Sequence, residues 1–279
     1  MAGIDLHTHS TCSDGTFSPE DVVGRALELG LDAVALTDHD STEGVARAQA
    51  AARGTELEVV PGVEFSTVYE HGGVHMLAYW PELGESEFQD ELRRLREDRF
   101  TRGERMVRRL QELGYPILFE RVREIAEGGN IGRPHVAQAL VEAGVVEELK
   151  DAFSDELIGG GGKAYVEKHA LHPMDAVALM KRAGALAVVA HPVHWRDGLP
   201  VPDELIRDLA AAGLDGIECA HPDQDGEAET RYREMASSLG LVATGSSDCH
   251  GDRYDPVRMG SRTTDPDQFA EMKRRRGLV

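Results

Sequence analysis

The chain has 279 residues, is 41% hydrophobic and carries a formal net charge of −20. That length accommodates one large α/β domain or a domain with an insertion, and the acidic balance argues against a broad duplex nucleic-acid binder, which needs a basic face. Three cysteines without CxxC spacing argue against a disulfide framework or a cysteine zinc site, no apolar run reaches the ~18–20 residues of a membrane span, and a start without a basic-then-apolar leader makes the cytoplasm the expected compartment.

In chain order, residues 3–7 (GIDLH) form the first candidate strand. Residues 18–30 then read as a helix, with Ser18 at the N-cap, Pro19 at the first helical position, acids in the first turn and Gly30 at the stop. The strand DAVALT (32–37), a helix over 42–54 and the strand LEVVPGV (57–63) follow. VHMLAYW (74–80) comes so soon afterwards, across an HGG step, that these two strands are expected to form a hairpin. Residues 84–165 break the rhythm. A periodic Arg/Glu-rich stretch gives way to three shorter helical segments, with no convincing strand before KAYV (163–166). Helices over 174–184, 202–213 and 227–240 then alternate with the strands ALAVVAH (185–191), LDGIECA (214–220) and GLVATGS (240–246). Seven strands alternating with helices predict a mainly parallel α/β barrel, closed or nearly so. Residues 1–83 and 166–279 supply it, and 84–165 form a helical insertion.

The unusual polar residues gather at strand ends. His7 and His9 end the first strand and Asp14 follows in the next loop. His39 ends the second, Glu64 follows the third and His75 opens the fourth. His191 ends the fifth, and Asp248 and His250 follow the seventh. The carboxyl ends of parallel barrel strands converge on one face, so residues distant in sequence should meet there. His7 and His9 stand at i, i+2, where extended backbone points both imidazoles the same way, and Asp248 and His250 repeat the arrangement. A lone HxH pair is usually structural. Nine such groups at strand ends are not, because these segments hold too few basic residues to neutralise the carboxylates, and unpaired buried charge is costly. Imidazole with carboxylate suits Zn²⁺, Mn²⁺ or Fe²⁺ better than Ca²⁺ or Mg²⁺. One tetrahedral ion needs about four ligands, so nine groups imply two or three ions with bridging carboxylates.

The stretches DLHTHSTCSDG, LTDHD, PGVEFS, HMLAYW, AHP and SSDCHG resemble, in order, the motifs of the PHP (polymerase and histidinol phosphatase) superfamily. NIGRPHVAQAL and GKAYV, within and beside the insertion, resemble its stand-alone bacterial phosphoesterases of nucleotides. That subgroup includes nucleoside 3′,5′-bisphosphate phosphatases and a 5′-3′ exoribonuclease. The resemblance implies a distorted seven-stranded TIM-like (βα)7 barrel with a trinuclear site. His7, His9, Glu64 and Asp248 would hold one ion, Asp14, His39 and His250 a second, and Glu64, His75 and His191 a third. Many members carry histidine where Asp14 stands; aspartate is typical of the nucleotide-acting subgroup.

Other residues near these motifs have more than one reading. Asp38 and Asp40 either orient a ligand imidazole or form a turn. Glu218 is a ligand, a supporting residue or a structural one, and is left outside the metal set. Cys12 and Cys249 neighbour ligands but read as small packing side chains. Arg133 and His135, in GRPH, are the strongest phosphate candidates, because arginine offers a planar fork to a phosphate. Lys163, after GGGG, lacks the P-loop pattern and reads as part of a flexible lid whose lysine reaches substrate. His194 reads either as a substrate contact at the site mouth or as a solvent-exposed side chain. The Arg/Glu run at 91–109 reads as a solvated helix face.

The expected activity is a metal-dependent phosphoesterase in which water activated by the ions attacks phosphorus. Its partners would be small phosphorylated substrates, nucleotides or short single strands, with nucleoside 3′,5′-bisphosphates first. Neither long duplex, membrane nor an obligate protein partner is expected. Histidinol phosphate phosphatase and a non-catalytic metal-binding PHP module are the alternatives. An amidohydrolase would want a carbamylated lysine at a strand end, and no strand here ends in lysine.

Overall fold

The computed structural model describes residues 3–70, 72–84, 86–126, 131–167, 170–194, 199–253 and 256–279. Seven strands lie side by side in chain order: β1 (Ile4–Thr8), β2 (Ala33–Leu36), β3 (Glu58–Tyr69), β4 (Gly72–Tyr79), β5 (Leu186–Val189), β6 (Gly216–Ala220) and β7 (Val242–Gly245). β1, β2 and β3 are mutually parallel, as are β5, β6 and β7. β4 runs against both of its neighbours. The ring nearly closes beyond β7, where His9 N donates to Cys249 O (2.8 Å) and Cys249 N to His7 O (3.3 Å). The result is the expected α/β barrel of seven strands. Strands buried on both faces need apolar side chains throughout. AVAL and LAVV, wholly buried, satisfy that need.

Helices α1 (Pro19–Glu28), α2 (Val45–Ala51), α6 (Pro173–Arg182), α7 (Asp203–Ala211), α8 (Gly226–Leu239) and α9 (Pro266–Arg276) belong to the barrel part of the chain. Ser18 caps α1 by accepting from Asp21 N, and the Asp21 carboxylate accepts in turn from the Ser18 amide, so the sequence signal there is the physical one. The inner core includes Leu6, Ala35, Leu77, Tyr79 and Val188. The insertion supplies α3 (Glu87–Glu112), α4 (Phe119–Ile125), α5 (Arg133–Glu142) and a 3₁₀ turn at Leu149–Phe153. It has its own apolar cluster, with Val107, Leu110, Val122, Val136 and Leu140. The first half of α3 does not share it: Phe88, Leu92 and Leu95 pack into the barrel's larger core.

Three features differ from the sequence expectation. β3 continues past residue 63 to Tyr69, because the hairpin with β4 extends above the barrel and pairs Ser66 with His75 and Tyr69 with Gly72. KAYV forms no strand. The helix α9 was not anticipated; it buries only Phe269 and Met272, too little apolar periodicity to announce it. Among the described residues no helix is long and apolar enough to cross a membrane.

Candidate active site

Glu64, fully buried, is the hub. Its Oε1 lies 2.7 Å from His75 Nδ1 and 2.9 Å from His191 Nε2; its Oε2 lies 2.9 Å from His39 Nδ1, 3.2 Å from His9 Nε2 and 3.4 Å from His7 Nε2. One carboxylate thus meets imidazoles from five places in the chain. The reversed direction of β4 explains His75: the amino half of an antiparallel strand reaches the face where its neighbours end. Asp248 Oδ1 stands 3.2 Å from His9 Nε2 and 3.3 Å from His7 Nε2. Asp14 Oδ1 is 3.4 Å from His250 Nε2, and Asp14 Oδ2 is 3.8 Å from His39 Nε2. The loop carrying Asp14 folds tightly over β1, where a Cβ on Gly15 would stand 2.5 Å from His9 O. Asp40, His191 and Asp248 all adopt positive φ, a conformation that non-glycine residues hold only where surroundings impose it.

The electrostatics follow from this crowding. Burial opposes ionisation of Glu64, Asp14 and Asp248, yet the surrounding histidines hold all three well below the usual carboxylate range. Burial likewise opposes a charged His9, but Asp248 and Glu64 push it up to about 10. The cluster draws in positive charge, with protons as the default source. Asp14 Oδ1 and Asp248 Oδ1 are buried without a hydrogen bond. Lone pairs of nitrogen and oxygen therefore converge on shared points, which is the donor set divalent cations require. The ligand atoms fall into three groups: His7, His9, Glu64 and Asp248; His9, Asp14, His39 and His250; and His39, Glu64 and His75, beside which His191 stands. All nine residues expected from sequence meet here.

Supporting residues complete the arrangement. Glu218 Oε1 accepts from His7 Nδ1 (3.0 Å) and from Ser246 Oγ (2.7 Å), so the proton of His7 sits on Nδ1 and Nε2 faces Glu64. Asp38 accepts from Ser10 N, Ser10 Oγ and Ser13 Oγ, and Asp40 from Ser66 and Arg99, so both anchor loops. Burial pushes the Cys249 thiol up to about 11, in keeping with a packing role.

A cavity of about 260 Å³ opens beside this cluster. Asp14, His39 and His75 line its barrel side; Arg99, Arg102 and Arg133 line the side made by the insertion. Arg99 bonds Asp40 (2.5 Å) and Ser66, and Arg102 donates to Val166 O (2.8 Å). Arg133 lies against the rings of Phe153 and Tyr165, and among the described residues it forms no ion pair. Burial and the neighbouring Arg99 lower its pKa, and burial with Arg133 lowers that of Arg102 to about 10. The sequence reading placed Arg99 and Arg102 on a solvated face. That holds for the exposed pairs Arg93–Asp90 and Arg94–Glu91. The signal it missed is phase: positions 88, 92, 95, 99, 102, 106 and 110 form one stripe, apolar except for these two arginines.

The other expected substrate contacts have different surroundings. His135 is buried, and its Nδ1 accepts from Gly132 N at the start of α5; it lines a separate cavity of about 320 Å³ with Thr11 and Arg253. Lys163 is exposed, pairs with Glu156 and does not line the arginine cavity. The glycine run before it is a tight turn in which a Cβ on Gly159 or Gly162 would stand 2.6 Å from a carbonyl oxygen. His194 is half-exposed, its ring centroid 5.7 Å from that of His191. His221, not singled out by the sequence, is buried with its Nε2 3.3 Å from Asp248 Oδ2.

Comparison with known proteins matches this geometry. The PHP domain profile covers residues 5–98. The 3′,5′-nucleoside bisphosphate phosphatase of Chromobacterium violaceum is 34% identical over 90% of this chain and 88% of its own length. The 5′-3′ exoribonuclease Rnm of Salmonella typhimurium is 32% identical over 88% of this chain and 84% of its own. The chain belongs to the PHP family. Among solved structures, a Bifidobacterium adolescentis protein described as a metal-dependent phosphoesterase superposes with a TM-score of 0.90 at 35% identity, covering 98% of this chain and 96% of that one. A Chromobacterium violaceum protein described as an amidohydrolase, solved with bound sulfate and no metal, gives 0.88 at 31% identity, covering 98% and 97%. This PHP chain is a metal-dependent phosphoesterase.

Proposed function

We propose that this enzyme removes a terminal phosphate from small nucleotides, nucleoside 3′,5′-bisphosphates first, in the cytoplasm, using two or three divalent ions of the Mn, Fe or Zn class. The observation that carries the reading is the cavity's two-sidedness. Asp14, His39 and His75 of the ligand cluster line one part of it, and Arg99, Arg102 and Arg133, the last without an ion pair among the described residues, line the insertion side. A buried guanidinium without an anion is costly, and a phosphate meets that need with paired hydrogen bonds. A substrate with two phosphates satisfies both sides at once. The names of the relatives support nucleotide substrates, and the sulfate in one solved neighbour supports an oxyanion site.

Divalent ions held by His7, His9, Glu64, Asp248 and their neighbours would, when bound, lower the pKa of water and offset charge on the phosphoryl oxygens. The chain's own residues do the rest. Glu64, Asp14 and Asp248 supply the negative charge that holds those ions, and Glu218 keeps the His7 lone pair aimed at Glu64. Arg133, with Arg99 and Arg102, clamps the phosphate that does not react. The insertion closes over the cluster as a cap and narrows access to it. The deciding experiment is a substrate panel on the metal-loaded enzyme: a nucleoside 3′,5′-bisphosphate, the 5′-mononucleotide, a short 5′-phosphorylated RNA and histidinol phosphate. The bisphosphate should show the highest kcat/KM. A preference for histidinol phosphate would defeat the nucleotide reading.

A further inference from the structure

His221, in the turn after β6, belongs to none of the three ligand groups around Glu64. It falls in a fourth group, with His194 and Asp223, that has the composition of a metal site. The hydrogen bonds assign it a different task. Its Nδ1 accepts from the backbone N–H of Asp223 (3.1 Å). A ring nitrogen that accepts a hydrogen bond carries no proton, so the ring's proton is on Nε2. That Nε2 lies 3.3 Å from Asp248 Oδ2 and donates to it. Both nitrogens are therefore committed, and neither lone pair is left for an ion. Asp223 is committed as well, by two bonds from Arg258 (3.0 and 3.2 Å).

We infer that His221 is a positioning residue for Asp248. By holding Oδ2 it turns Oδ1 toward His7 and His9, and it helps keep Asp248 at its positive φ of 48°. The turn that carries His221 is itself tied down: Gln224 Nε2 donates to Cys219 O (2.6 Å), and Gln224 N to His221 O (3.0 Å). His221 is 1% exposed, so water does not substitute for it in the folded protein. The device parallels Glu218 behind His7, with the polarity reversed: there a carboxylate steadies a histidine, here a histidine steadies a carboxylate.

The inference rests on the reading of the cluster as a metal centre, and its test separates the two. Mn²⁺ is titrated into the chelator-treated full-length chain, with bound metal counted and affinity measured by competition. His221→Ala should weaken the site containing Asp248 by about tenfold to a hundredfold without changing the number of ions bound at saturation. His221→Gln, whose amide nitrogen can occupy the Nε2 position, should recover most of that affinity. His194→Ala should leave affinity and count unchanged. Wild-type affinity in a folded His221→Ala protein would overturn the inference, as would failure of the Gln variant to recover. A count lower by one ion in both His194→Ala and His221→Ala would overturn it in favour of a fourth metal site. If the wild type itself binds no Mn²⁺, the metal-centre reading fails instead.

Discussion

Arg133 shows how a single side chain can carry a prediction. It lies against two aromatic rings and lines the cavity next to the ligand cluster. Removing a charge-assisted contact to phosphate costs about 1.5–3 kcal/mol, so Arg133→Ala should lower kcat/KM on the bisphosphate by roughly tenfold to 150-fold. Arg133→Lys should recover only part, since it restores the charge without the fork. An unchanged kcat/KM in the alanine variant would make the arginine structural. His135, two positions on, answers to pH instead. Burial lowers its pKa to about 4, and Arg253 and Arg99 reinforce the effect against Asp14. Its folded value lies below the ordinary 6.5, so the unfolded chain takes the proton first as pH falls. The stability it contributes is complete above about pH 6.5 and is lost toward pH 4, by up to roughly 3 kcal/mol. In urea melts at pH 7.5 and 4.5, His135→Asn, which keeps an acceptor for Gly132 N, should lose less stability over that interval than the wild type.

At the scale of elements, the strand-end histidines were legible because extended backbone has a fixed two-residue period and barrel strands share one functional face. His7, His9, Asp248 and His250 needed no more than that. Arg99 and Arg102 were not legible from composition, since arginines three apart among glutamates look the same on a wet helix face as on a buried one. What distinguishes them is register with Phe88, Leu92 and Leu95, and that becomes informative only once those residues are known to face the barrel. His221 was missed for another reason: its role depends on a backbone N–H and on a carboxylate 27 residues away. Leu92 offers the test of how α3 is held. It is fully buried in the barrel core, so Leu92→Ala should cost about 2–5 kcal/mol. If α3 also positions the arginines, the variant should lose bisphosphate turnover while the folded protein still binds Mn²⁺. Equal loss of both would show that α3 supports the whole barrel face.

For the molecule as a whole, the buried acidic cluster links metal to stability. Ions that bind only the folded state stabilise it by about 2.7 kcal/mol at a hundredfold excess over Kd, which for a chain of this size corresponds to several degrees. Chelation should lower Tm by that order and Mn²⁺ should restore it; a Tm indifferent to both would contradict the metal centre. The net charge of −20 acts at longer range. A chain so acidic repels a long phosphate backbone, so single strands of a few nucleotides should be cleaved far faster than long duplex at equal terminal-phosphate concentration. Equal kcat/KM on both, at fixed ionic strength and metal, would remove the cap from the explanation.

The reversed strand β4 has one more consequence. Because it descends, the chain leaves the barrel at the end remote from the metals and must climb back to reach them. A helix of 26 residues, about 39 Å, makes that ascent. α3 is thus a gauge whose graduations are turns of about 5.4 Å. Excising four residues from its middle would lower the arginines by roughly one graduation and leave the ions where they were. On the proposed two-phosphate reading, the height at which Arg99 and Arg102 stand above the ligand cluster is then set by a residue count in a helix that never touches the reacting atom.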